Sequence, residues 1–344
     1  MNLTKRRESY LLAGALIAGL AISGNGITAT EVQAADLVTV KYGAVFPPTG
    51  AQGKGAEKLC MFLEEFSNNG IECQFFPSSQ LGNKLQSIEA IRDGSLEMTE
   101  SAATDLSNFS ELWSIFSLPF LFNDGDDAIR VVSDPRVASI LNADAEAQGI
   151  KIIGWWNLGE RSIINSKRPV RKPKDLSGIK IRVMQSPMLA KSITAMGATG
   201  VPMAWGEVYT AVQQGVIDGL ENSPPVIWSN KMHEVANFYS MTQQFIIPDP
   251  QMFSLKVFNS LSTEMQEAVL KAGQASQEDF NAKWQMAVSE NIQQLKDAGV
   301  EINDDVDKDA FRSAVKPLVD DFLASADDKT KALYNAIVTV RDEG

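Results

Sequence analysis

The chain offers few residues with which to do covalent chemistry. His233 is the one imidazole among 344 residues. It lies beside Glu234 in an amphipathic segment and reads as a surface or helix-end residue rather than a general base. Cys60 and Cys73 are the two thiols, and neither belongs to a C-x-x-C pair. Two cysteines and one histidine are too few for a metal-binding framework. Gly50, Gly53 and Gly55 lack the spacing of a dinucleotide or phosphate loop, and no Lys-Ser/Thr pair follows them. There is no G-x-S-x-G elbow and no H-E-x-x-H. Carboxylates are plentiful, but no spacing pairs them for acid–base work. The inventory argues for a binder that needs no cofactor, not for an enzyme.

Charge narrows what could be bound. The net charge is −12, with 31 basic and 43 acidic residues. A nucleic acid or an anionic lipid surface would be repelled. An acidic protein that captures an acidic small molecule must concentrate its positive charge at one place. The residues to look for are therefore a few arginines inside an otherwise acidic molecule.

The elements that would position such residues begin after a targeting signal. Lys5, Arg6 and Arg7 precede an apolar run over 10–22, and Val32-Gln33-Ala34-Ala35 offers a cleavage site. The run is well short of the ~20 residues that span a bilayer. Residues 1–34 are therefore expected to be a cleaved signal peptide. The mature product is then expected to be soluble and periplasmic, with no direct membrane insertion.

Beyond it, strand and helix patterns alternate. Residues 37–46 are β-rich, 53–68 carry helical spacing of Ala56, Leu59/Cys60, Leu63 and Phe66, and 71–76 form a second strand. A helix over 82–93 closes at Gly94, and strands follow at 96–101, 150–156, 161–165, 179–183 and 216–220. Alternation of this kind implies α/β units with mostly parallel sheets. Residues 262–298 keep near-helical spacing for about ten turns, longer than one small domain needs. This is either one helix strutting across two lobes, with Gly273 as a bend, or two shorter helices. Cys60 and Cys73 fall on the first helix and the next strand, where they could meet. A disulfide and two separate packing cysteines both fit that placement.

The middle of the chain carries an ordered series of motifs. It runs Phe76-Pro77-Ser78-Ser79-Gln80-Leu81-Gly82, Gly94-Ser95-Leu96-Glu97-Met98, Leu118-Pro119-Phe120-Leu121-Phe122 and Gly159-Glu160-Arg161. It continues through Asn165-Ser166-Lys167-Arg168-Pro169-Val170 and Asp175-Leu176-Ser177-Gly178-Ile179-Lys180-Ile181-Arg182-Val183. It closes with Pro202-Met203-Ala204-Trp205-Gly206-Glu207-Val208-Tyr209 and Gly215-Val216-Ile217-Asp218-Gly219-Leu220-Glu221-Asn222. In order and spacing, from about residue 38 to about 318, the series resembles the substrate-binding proteins of tripartite ATP-independent periplasmic (TRAP) transporters, the DctP family.

The resemblance implies a two-lobed α/β periplasmic-binding-protein fold with hinge strands and a long lobe-spanning helix. Lobe I would hold 35–158 and 247–286, and lobe II 159–246 and 287–344. It implies that Arg182 forms a salt bridge to a ligand carboxylate, a role suited to a planar guanidinium that offers two parallel donors. Arg161 and Asn222 match positions that reach the same ligand, and Trp205 stands where the family usually has Phe. Alternatives stand beside these roles: Arg161 could instead pair with Glu160 or Glu207, and Trp205 could be core packing. Tyr209 reads mainly as structural, with its hydroxyl a candidate contact. Trp155 and Trp156 fall at the expected lobe crossing, with core packing favoured for at least one. Glu100 follows Met98 in a strand where the family commonly turns a small or apolar side chain to the cleft. An acidic group there would repel a second ligand carboxylate and accept from hydroxyls, which favours a sugar acid or related hydroxylated monocarboxylate.

The expected function is periplasmic capture of a small organic carboxylate and its delivery to TRAP membrane permease subunits. The alternatives are a ligand sensor docking on a membrane receptor, a C4-dicarboxylate or keto-acid binder on the same fold, and a hydrolase or lyase using cleft carboxylates.

Overall fold

The computed structural model describes residues 37–344, so the expected signal peptide lies outside the described residues. Within them, eleven strands follow in chain order: β1 (Val38–Gly43), β2 (Ile71–Phe76), β3 (Met98–Glu100), β4 (Ile150–Trp156), β5 (Glu160–Asn165), β6 (Lys180–Val183), β7 (Thr199–Pro202), β8 (Gly219–Asn222), β9 (Phe238–Ile246), β10 (Asp249–Ser254) and β11 (Glu301–Asn303). They make two sheets, ordered β2-β1-β3-β10-β4 and β11-β9-β5-β8-β6-β7. Each sheet is the core of one lobe.

The first helix, Ala51–Phe66, buries Ala56, Leu59, Cys60 and Leu63, the stripe that the apolar spacing marks. Asn68 and Asn69 leave it in the left-handed region, at φ 52° and 59°, and turn the chain into β2. The helix Lys84–Asp93 opens with a reciprocal capping box between Asn83 and Gln86 and closes on left-handed Gly94. That cap sets Lys84 at the first helical position, beside the cleft.

The sheets are mixed rather than mostly parallel, which corrects the expectation from alternation. β1 runs parallel to β2 and β3, and β6 runs parallel to β7 and β8. β10, however, lies antiparallel between β3 and β4, and β5 lies antiparallel between β8 and β9. The cause is the double crossing of the chain. β4 leaves the first sheet and, after Asn157-Leu158-Gly159, continues as β5 in the second. β9 leaves the second sheet and, through Ile247-Pro248, returns as β10 in the first. A strand that enters a sheet directly from its neighbour lobe need not follow the direction set by helical crossovers.

The long apolar pattern is one helix, Thr263–Asp297, 35 residues without a break. It is ~52 Å long at 1.5 Å per residue. It packs on the first helix, on β4, on the short helix Pro224–Ser229 and on β11, so it touches both lobes. Its polar side chains clip the crossing strand: Trp155 N donates to Gln277 Oε1, Asn157 N to Asn281 Oδ1, and Asn281 Nδ2 to Trp155 O. Trp156 stacks on Phe280 at 4.2 Å, and both Trp155 and Trp156 are buried. Gly273 is no bend. A Cβ there would sit 2.0 Å from the carbonyl oxygen of Ile153, so glycine is what lets the helix lie against β4.

Cys60 and Cys73 form a disulfide that ties the first helix to β2. The two separate packing cysteines allowed by the sequence are therefore replaced by a bridge. Placing all of 287–344 in lobe II also needs correction. The terminal helix, Asp328–Asp342, packs on the helices Gly125–Ser133 and Pro135–Ala147 of the first-sheet lobe. Leu333, Ile337 and Val340 are buried there, and Arg130 Nη1 donates to Val340 O. No helix among the described residues is long and apolar enough to cross a membrane.

Candidate functional site

Arg161, Arg182, Asn222 and Trp205 line a single cavity between the two lobes, with ≈ 60 Å³ of room for the centres of water molecules. The first three stand on β5, β6 and β8 of the second sheet, which are held side by side by the ladder β5-β8-β6. Regular pairing thus converts three distant segments into one wall of donors.

Each donor is fixed by a protein partner that leaves some of its capacity open. Arg182 Nε and Nη2 both donate to the carbonyl oxygen of Met203, at 2.9 and 2.7 Å. Its Nη1 is buried and has no partner. Burial draws the Arg182 guanidinium down to about 10, Glu221 works the other way, and the group remains charged at neutral pH. A buried charged donor without an acceptor is costly unless a ligand supplies one. The Trp205 ring centroid lies 5.3 Å from the Arg182 guanidinium carbon, and Trp205 Nε1 donates to Asn230 Oδ1. Asn222 Oδ1 accepts from Ser223 N, which turns the amide NH₂ away from that bond as a free donor.

Arg161 pairs with neither Glu160 nor Glu207. Its partner is Glu221, the residue before Asn222 on β8. Nε donates to Oε2 at 2.6 Å, and Nη2 donates to Oε1 and to the Glu221 carbonyl, both at 3.1 Å. Burial opposes the charge on Arg161, but Glu221, Asp249 and Asp105 together outweigh it and the pKa is raised.

The facing wall comes from the first-sheet lobe. Phe46 and Leu158 supply apolar surface, and Lys84, Asp105 and Asp249 supply charge. Lys84 Nζ lies 3.7 Å from Glu100 Oε2 and 4.0 Å from Asp105 Oδ2 and Asp249 Oδ2. Burial opposes the Lys84 charge, yet Glu100, Asp249 and Asp105 together raise its pKa. Asp105 Oδ2 also accepts from Ser101 Oγ at 2.7 Å.

Three expected residues fall elsewhere. Glu100 does not line the cavity. It is fully buried with Oε2 3.7 Å from Lys84 Nζ, on β3 where Gln251 of β10 is its register partner. Glu207 ends the short turn Trp205–Glu207 and is exposed to solvent. The Tyr209 hydroxyl donates to Glu234 Oε2 at 2.8 Å, outside the cavity. His233 stacks on Trp228 at 4.5 Å and also lies apart from the site.

Lys84, Asp105, Asp249 and Glu221 escaped the sequence reading. Asp249 carried a visible signal: it is the one charge in Phe245-Ile246-Ile247-Pro248-Asp249-Pro250, an apolar run broken by two prolines. A carboxylate there must be buried with a purpose.

The profile of the bacterial extracellular solute-binding proteins, family 7, matches residues 42–326. The 2,3-diketo-L-gulonate-binding periplasmic protein YiaO of Escherichia coli is 32% identical over 313 residues, 90% of this chain and 91% of that one. A TRAP periplasmic solute-binding protein of Chromohalobacter salexigens, solved with bound D-glucuronate, superposes with a TM-score of 0.83. It has 29% identity, and the match covers 89% of this chain and 100% of that one. One from Sulfitobacter sp., solved with β-D-galacturonate, gives 0.83 and 30%, covering 88% and 99%. With the profile covering most of the chain and relatives matched over nearly their whole length, the chain belongs to the solute-binding proteins of TRAP transporters, the DctP family.

Proposed function

We propose that the protein captures a sugar acid in the periplasm, closes on it and hands it to the membrane permease subunits of a TRAP transporter. The observation that carries this reading is Arg182 Nη1, a buried, charged and unpartnered donor in a cavity shared with Arg161 and Asn222. A carboxylate is the group that answers it, because its two oxygens accept charged hydrogen bonds in the plane of the guanidinium. The sugar-acid class is supported by the uronates bound in the two solved relatives and by the keto-sugar acid named for the Escherichia coli protein.

Capture follows from the geometry. The donor wall belongs to one lobe and the acidic wall to the other, so the ligand is held from both sides only when the lobes meet. Arg182 takes the carboxylate, Asn222 adds an amide donor and Trp205 covers apolar carbons beside the guanidinium. Closure removes the charged pair from water, where its hydrogen bonds strengthen. Neither catalysis nor a cofactor forms part of this cycle. Export through the signal peptide of residues 1–34 places the protein where the permease can meet it.

The test is a thermal-shift screen of the purified protein with uronates, aldonates, C4-dicarboxylates, keto acids and zwitterionic amino acids. The expected result is a shift for sugar acids that exceeds that of every other class. A shift confined to zwitterions or to uncharged sugars would overturn the reading.

A further inference from the structure

Lys84 stands alone among three carboxylates on the wall that faces Arg182. Its ammonium lies within 4.0 Å of Glu100, Asp105 and Asp249, and none of these contacts is short enough to be a hydrogen bond. Three carboxyl groups thus share one ammonium, and their acceptors are incompletely used. Both Glu100 carboxylate oxygens and Asp249 Oδ1 are buried without a hydrogen-bond partner. Asp249 is 1% exposed and lines the cavity, while Glu100 lies beneath it. Gln251 does not relieve them: its Oε1 accepts from the Tyr42 hydroxyl at 2.8 Å, and its Nε2, the group that could donate, makes no hydrogen bond.

One end of the cavity is thus short of acceptors and the other is short of donors. A ligand that satisfies both presents a carboxylate to Arg182 and hydroxyl donors to Asp249. A ligand with carboxylates at both ends presents acceptors to acceptors. Lys84 does not rescue it, since three carboxylates already surround that ammonium and a fourth would meet more repulsion than attraction.

We propose that Asp249, held with Asp105 around Lys84, is the specificity determinant that receives the hydroxyls at the far end of the ligand and excludes a second carboxylate. This rests on the reading of Arg182 as the carboxylate clamp and extends it to the opposite end. The protein then accepts aldonates and uronates and rejects the aldarates made by oxidising their other end. Burial raises the Asp249 pKa well above its ordinary value, Lys84 draws it back in part and Glu100 raises it again. Tyr42 on β1, Lys84 on its helix, Glu100 on β3 and Arg161 on β5 are the charged or titratable groups that act on it.

Calorimetry on the full protein tests this. The tightest-binding monoacid among D-gluconate, D-galactonate, D-glucuronate and D-erythronate is compared with the diacid that carries a carboxylate at its other end. The wild type is expected to bind the monoacid about 100-fold more tightly, the scale of one charged hydrogen bond lost and replaced by repulsion. Asp249→Asn, and independently Asp105→Asn, is expected to narrow that ratio by about tenfold or more. Equal or tighter binding of the diacid by the wild type would overturn the proposal while leaving carboxylate capture at Arg182 intact. That comparison needs no variant to fold. A ratio unchanged in both folded variants would also overturn it. Absence of binding by every member of the set would overturn the sugar-acid reading and this proposal together.

Discussion

Glu221 grips the guanidinium of Arg161 along its fork, Nε to Oε2 at 2.6 Å and Nη2 to Oε1 at 3.1 Å, with both side chains buried. The pair leaves Arg161 oriented in the donor wall but largely neutralised, while Arg182 beside it has a buried nitrogen without any partner. Two arginines that look equivalent in sequence therefore stand differently: the protein braces one, and the other keeps a buried nitrogen unpaired.

The brace can be measured. Glu221→Ala strands a buried charge and is expected to lower the unfolding free energy by about 3–5 kcal/mol in urea titrations. Glu207→Ala removes an exposed carboxylate and is expected to stay within about 0.5 kcal/mol of wild type. Equal costs for the two would contradict the pairing.

Gly273 gives a prediction whose sign opposes helix propensity. In an exposed helix interior, Gly→Ala stabilises by about 1 kcal/mol. Here the added methyl would meet the Ile153 carbonyl at 2.0 Å, so overpacking against β4 decides. Gly273→Ala is expected to destabilise by about 1–3 kcal/mol, read from the urea midpoint. A neutral or stabilised variant would show that the helix does not need this close approach.

The Cys60–Cys73 bridge closes a loop with a sequence separation of 13. Chain entropy for a loop of that length assigns it about 3 kcal/mol. Cys73→Ala, and wild type under reductant, are both expected to lose stability on that scale while keeping the fold. No change between oxidised and reduced protein would contradict the bridge.

Asp249 also predicts a pH dependence of stability. Its pKa is raised in the fold, so the folded state binds the proton more tightly than the unfolded chain. Its contribution is fully present below the unfolded value of about 3.9 and is lost as pH rises through the raised folded value. Asp134 works in the opposite sense. Its pKa is lowered to about 2 by the Arg136 hydrogen bonds, so its contribution is lost as pH falls. The difference in Tm between wild type and Asp249→Asn is therefore expected to move against the wild type as pH rises from about 4. A difference flat across pH would contradict a raised pKa at the buried Asp249.

Much of this was legible in the sequence where a local signal existed. The helices near 53–66 and 84–93 follow from apolar spacing and from the Gly94 stop. The spanning helix follows from a pattern too long for one small domain. Arg182, Arg161, Asn222 and Trp205 are marked by motif context, and the cavity does contain all four. What escaped depends on contacts between distant segments. Glu221 became a partner of Arg161 only through the β5–β8 ladder, 60 residues apart in the chain. Lys84, Asp105 and Asp249 converge from three separate elements, and no spacing rule joins them. The strand context of Glu100 leaves open whether it faces the cleft or is a solvated carboxylate at a strand end. Its side chain is buried against Lys84 and does not line the cavity, a depth that composition does not encode. β9 and β10 escaped as strands because their direction is set by the lobe crossing, which a local pattern does not encode.

If Arg182 holds the ligand by its carboxylate, as proposed, one titration decides it. Calorimetry of wild type, Arg182→Lys and Arg182→Ala against the best sugar acid from the screen should give three separated affinities. Lys is expected to weaken binding by about tenfold or more through loss of a charged hydrogen bond, and Ala by roughly 30-fold to several-thousand-fold, the range of about 2–5 kcal/mol for stranding a buried charged partner. An Arg182→Ala protein that folds and binds the sugar acid with wild-type affinity would contradict the account.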